Sequence, residues 1–175
     1  MVAPLLFAEY DLFSTIQNQE KAVRDAIERV TSEVLACSSV DAEVGRLRKE
    51  FEFTVPVLDE DGIEIKQQDT TVEVSERPDM VFFDRGPHYR PAVEYSFFVP
   101  FKGDPDLLRC RPSQFHLSPP RAEVGRDELI VSHTGLTPDI EPAKATLKST
   151  LEQVKLHLEW VQSDVAKFNS NLRGC

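Results

Sequence analysis

The densest run of groups able to do chemistry is a set of arginines with aromatic neighbours. The segment "DRGPHYR" holds Arg85, His88, Tyr89 and Arg90, and "LRCRPSQFHLSPPR" adds Arg109, Arg111 and Arg121. Guanidinium groups grip phosphate oxygens two at a time and stack on flat rings. These seven residues are therefore the candidate surface for a phosphorylated or nucleotide-like ligand. Asp79, Asp84, Glu94, Asp104, Asp106 and Glu123 stand in the same region. Pairing of the arginines with those carboxylates is the stronger expectation.

Other reactive groupings fail on spacing. His88, His116, His133 and His157 are scattered, and none has a second ligand one helical turn away. A zinc centre requires at least three convergent ligands, so no metal site is expected. "DEDG" places Gly62 fourth and Thr70 twelfth, where a calcium loop wants glycine sixth and glutamate twelfth. Ser132 and His133 are adjacent on a predicted strand, and adjacent strand side chains point to opposite faces, which rules out a direct nucleophile–base pair. No GxSxG, P-loop or GxGxxG pattern occurs. The sequence assigns no catalytic residue and no cofactor, and an enzymatic role is disfavoured.

The elements that must position these groups fall into three regions. Residues 10–51 read as helical. Phe13, Ile16, Val23, Ile27, Val30 and Val34 follow a three/four alternation broken only by Glu20, with no Gly or Pro over residues 5–44. Ser39, with Glu43 placed to cap in return, predicts a second helix over 40–51. Residues 52–135 read as strands. "FEFTVPVL" and "IEIKQ" alternate on either side of "DEDG" and predict a hairpin. "TTVEVS", "DMVFFD", "AVEYSFFVPF", "SQFHLS" and "ELIVSH" predict further strands, and Asp104 before Pro105 predicts a short helix over 105–110.

The third region, 140–172, is one long helix. It starts behind Thr137 or Asp139 and stops at Gly174. Its apolar residues Leu147, Leu151, Val154, Leu158, Val161, Val165, Phe168 and Leu172 are spaced as a coiled-coil seam. The flanking positions, among them Thr150, His157, Asp164 and Asn169, are polar rather than oppositely charged, which weighs against a parallel self-zipper. The seam is expected to close antiparallel on residues 13–34 of the same chain. Leu156 and Trp160 form an off-seam pair one turn apart, which is an interface candidate together with any uncovered part of Leu158, Val165 and Phe168.

Composition bounds the remaining choices. The chain has 175 residues, 41% hydrophobic and 29% charged, and is expected to form a single domain over 1–175. Three cysteines without CxxC spacing predict a reducing, cytoplasmic setting. No run approaches 18 apolar residues, so no membrane span is expected. The net charge is −10, and all of it lies in residues 1–76, which hold 7 basic and 17 acidic side chains. Such a surface repels phosphate backbones and disfavours general nucleic-acid binding.

Residues 95–172, from "VPFKGDPDLLRCRPSQFHLSPPRAEV" through "DELIVSH" to "VAKFNSNL", resemble a pattern of uncharacterised bacterial proteins. Pro100-Phe101, Gly103-Asp104, Arg111-Pro112-Ser113, Pro120-Arg121 and Asn169 carry the likeness. The resemblance implies an N-terminal module that stands ahead of a further domain and positions or regulates it; it implies no catalytic residue. The combined expectation is an α+β protein. Its long N- and C-terminal helices pack antiparallel, with a small mainly antiparallel sheet or sandwich between them in sequence. The expected function is a non-enzymatic scaffold, sensor or oligomerisation module whose partner is another protein or a second copy. An arginine-rich anion-binding domain is the alternative.

Overall fold

A computed structural model describes residues 2–74 and 86–174. The predicted strand "DMVFFD" and Arg85 lie outside the described residues. The fold is α+β. Its sheet contains β2 (Val57–Leu58), β3 (Glu64–Glu73), β4 (Tyr89–Lys102), β6 (Glu123–Val124) and β7 (Glu128–Gly135), all paired antiparallel. The central strand β4 pairs with β7 on one edge and with β2 and β3 on the other. A two-stranded parallel pair, β1 (Tyr10–Asp11) with β5 (Cys110–Arg111), sits apart from it. Among the described residues there are four α-helices: α1 (Leu12–Glu28), α2 (Ser32–Cys37), α3 (Val40–Phe51) and α4 (Glu141–Arg173).

Strand alternation in "AVEYSFFVPF" decides which sheet face is covered. Tyr95, Phe97, Val99 and Phe101 are buried, and the register puts Val131 opposite Phe97 and Leu129 opposite Val99 on the same face. Against that face α4 lays its seam: Leu151, Val154, Leu158, Val161, Val165, Phe168 and Leu172 are all buried in one cluster with the strand residues. Each such side chain contributes about 1.5–3 kcal/mol on burial. That is far more than the few tenths of a kcal/mol per residue by which helix propensities differ. Sheet packing therefore holds α4, and the seam is spent inside this chain.

The partner of the seam differs from the expectation. Its main neighbour is the sheet, and α1 is only 17 residues long. Where α1 does meet α4, Val23 and Arg24 of its second half lie beside Phe168 and Leu172 at the end of α4. In a full-length antiparallel pair, the end of α1 would lie at the start of α4 instead. The helix breaks after Glu28 because Thr31 turns its side chain back to accept from the Val34 N–H, which caps a new helix without any Gly or Pro.

Two further expectations are corrected. "FEFTVPVL" and "IEIKQ" form no hairpin, because β2 and β3 both pair with β4. Leu58 lies opposite Phe101 and Glu64 opposite Phe98, so residues 59–63 bulge out from one continuous edge. "SQFHLS" forms no strand; it belongs to a loop over α4 whose course is fixed by Pro112, Pro119 and Pro120 and by Ser113.

The capping residues act largely as read. Asp104 caps a 3-10 turn, Pro105–Leu108, and Ser39 accepts from Ala42 N–H at the start of α3. Asp139 accepts from Glu141 N–H at the start of α4. At its end Arg48 donates to the carbonyls of Leu172 (3.0 Å) and Arg173 (2.7 Å), and Asn169 pairs both ways with the Phe53 backbone. Gly103 holds φ +135, and a Cβ there would stand 2.7 Å from the Pro56 Cα. Only glycine lets β4 turn that closely past residues 54–56.

Candidate functional site

The face of α4 beside its seam carries Thr150, Gln153, His157, Trp160 and Asp164, one helical turn after another. Two irregular segments cover it. Residues 2–9 and the 112–121 loop are stitched together by Leu6 N–H to Pro120 C=O (2.8 Å) and Ala122 N–H to Pro4 C=O (3.2 Å). The loop is pinned to the helix where the Ser113 N–H and hydroxyl donate to the Asp164 carboxylate at 2.7 and 2.6 Å.

His157 lies at the centre of this cover and is fully buried. Its Nδ1 is 2.7 Å from the Gln153 carbonyl oxygen. A carbonyl only accepts, so Nδ1 carries the proton and Nε2 the bare lone pair. Nε2 is buried, and no group among the described residues hydrogen-bonds to it. An unsatisfied buried polar atom costs about 1–3 kcal/mol. Burial pushes the His157 pKa down; the Gln153 carbonyl opposes this and His116 adds to it. At neutral pH the ring is therefore uncharged in the folded protein.

Three aromatic rings enclose His157. Phe7 stacks on it at 4.8 Å and 18°, Trp160 meets it edge-on at 5.0 Å, and His116 from the loop stands 5.8 Å away. Phe7 holds φ +53, a conformation that costs a bulky residue of order 1–3 kcal/mol. It is kept there by burial and by its N–H donating to Leu108 C=O. Trp160, read from sequence as an interface residue, is half-buried and packs on His116 at 5.2 Å. Leu156 is half-buried as well, while Leu158, Val165 and Phe168 lie in the core and are 7% exposed or less.

The arginine set is not assembled. His88, Tyr89 and Arg90 stand at the start of β4, about 40 Å from its other end at roughly 3.3 Å per residue. Arg109 and Arg111 lie near that other end, beside Glu9 and Asp11. Arg121 donates to Ala3 C=O and lines a polar cleft of about 600 Å³ whose walls include the carboxylates Glu94 and Glu123. No common anion can touch all three places, and the carboxylates offset the charge where a cleft exists.

An almost wholly apolar opening lies where the N-terminal helices fail to cover one another. Val23, Ile27, Leu35, Val40 and Leu47 line a cleft of about 220 Å³, with Glu43 and Arg48 also in its wall. Ile27 is 51% exposed, Leu35 42% and Val40 62%. The seam positions Ile27, Val30 and Val34, expected to zip against α4, instead form part of this trough and its surroundings.

Neither the trough nor the imidazole pair was legible in the sequence. His116 and His157 sit in different regions of the chain, and no local spacing signals their meeting. Among the described residues no three His, Cys, Asp or Glu side chains converge as a metal site, and no helix is long and apolar enough to cross a membrane. No family model, no curated protein and no solved structure matches this chain.

Proposed function

We propose that this chain is a non-enzymatic oligomerisation module, in which the trough between α1, α2 and α3 takes the same face of a second copy. The observation that carries the reading is the apolar trough itself. It gathers half-exposed Ile27, Leu35 and Val40 around one apolar cleft at the helical end of the domain. Grouped exposed apolar side chains of this kind are a mark of protein contact.

Charge favours a second copy as the occupant. Residues 10–51 carry six basic and eight acidic side chains, interspersed, whereas residues 52–76 carry one basic and eight acidic. Two chains at net −10 repel each other over the acidic strands. The helical end is the surface on which like faces meet mixed charge. A self-complementary patch closes into a two-fold dimer.

Light scattering tests this. At about 100 μM, where a micromolar dissociation constant is saturated, the wild type is expected at twice its 19.8 kDa mass. Val40→Asp, at an exposed helix start, is expected to return it to a folded monomer. A wild type that is monomeric at that concentration overturns the proposal.

A further inference from the structure

We propose that His116 and His157 form a two-imidazole site for a borderline transition-metal ion such as Ni²⁺ or Cu²⁺, under the 112–121 loop. The site is independent of the trough.

The tautomer is the first argument. With Nδ1–H fixed on the Gln153 carbonyl, Nε2 of His157 offers a lone pair that nothing among the described residues uses. A histidine that ligates a metal characteristically donates its other ring N–H to a carbonyl or carboxylate in this way. Ring separation is the second argument. With a metal–nitrogen bond of about 2.0–2.1 Å, and about 1.2 Å more to the ring centre, each imidazole centre lies about 3.2 Å from its ion. Two rings on one ion are then about 5.2 Å apart at a tetrahedral angle and about 6.4 Å apart when opposed. The observed separation of 5.8 Å falls between these limits.

Ligand type sets the class of ion. Two imidazoles without a converging carboxylate suit nickel and copper, and give calcium and magnesium nothing to hold. His116 is exposed and His157 fully buried, so the ion enters from the loop side and water completes its coordination.

Trp160 is the chain's single tryptophan and lies 5.0 and 5.2 Å from the two imidazoles, so it reports directly on occupancy. Titrating the full chain with Ni²⁺, a paramagnetic quencher, is expected to reduce Trp160 emission with saturation at one equivalent, while Mg²⁺ has no effect. His116→Ala changes an exposed side chain and is expected to keep the metal-free melting temperature. It is expected to weaken Ni²⁺ binding by at least ~100-fold, the upper range for losing an outer-shell partner. His133→Ala is expected to bind as the wild type does. Absence of saturable quenching, or quenching that survives His116→Ala unchanged, overturns the assignment.

Discussion

Individual residues hold the cover and the corners of this domain, and three of them give direct tests. Asn169 presents both ends of its amide to the Phe53 backbone at 3.0 and 2.9 Å. Asn169→Ala leaves those groups unpaired and is expected to cost about 1–3 kcal/mol, read as a lower urea midpoint. Gly103→Ala forces a Cβ against the Pro56 backbone at φ +135 and is expected to cost a similar 1–3 kcal/mol, of the order set by a strained backbone position. Asp11 accepts from the Ser14 N–H at 3.0 Å and hydroxyl at 2.9 Å, and these bonds hold its pKa below the ordinary 3.8. With the folded value below the unfolded one, its stabilising effect is complete above 3.8 and is lost as pH falls through the folded value. Asp11→Asn keeps an acceptor but does not titrate. Its unfolding midpoint is expected to fall less than that of the wild type as the pH is lowered through that window.

At the scale of elements, periodicity was a good guide to what forms and a poor guide to what packs on what. The spacing predicted a helix over 140–172 and the structure has α4 at Glu141–Arg173; Ser39 marked the start of α3 correctly. The same periodicity describes a stripe that meets another helix and one that meets a sheet, so the seam could not announce that Phe97, Val99 and Val131 would be its neighbours. Pairing was illegible for a related reason. "FEFTVPVL" and "IEIKQ" alternate properly, but only the register with β4 shows residues 59–63 to be a bulge. The break in the N-terminal helix rests on one threonine hydroxyl, a weak signal beside the missing Gly and Pro. Thr31→Ala is expected to cost about 1 kcal/mol through the lost cap of α2, measured by thermal unfolding. Likewise the Ser113–Asp164 contact, which sets the loop on α4, joins residues that no local rule connects.

Considered whole, the molecule has a sheet with one face filled by α4, a loop and an N-terminal strip closed over His157, and a helical end that stays partly open. The α4 seam that looked most like a docking device is used internally, and of the stripe on residues 13–34 that was to cover it, Phe13, Ile27 and Val34 stay exposed. β3 offers a second surface for association. It is an edge strand with ten residues and no neighbour beyond β4 among the described residues, but Glu64, Lys66, Asp69 and Glu73 guard it with charge. Hydrogen exchange on the wild type at low and high protein concentration separates the two surfaces. Association through the trough predicts that amides of residues 23–47 gain protection with concentration while those of β3 do not change. Protection gained in β3 instead, or nowhere, contradicts it.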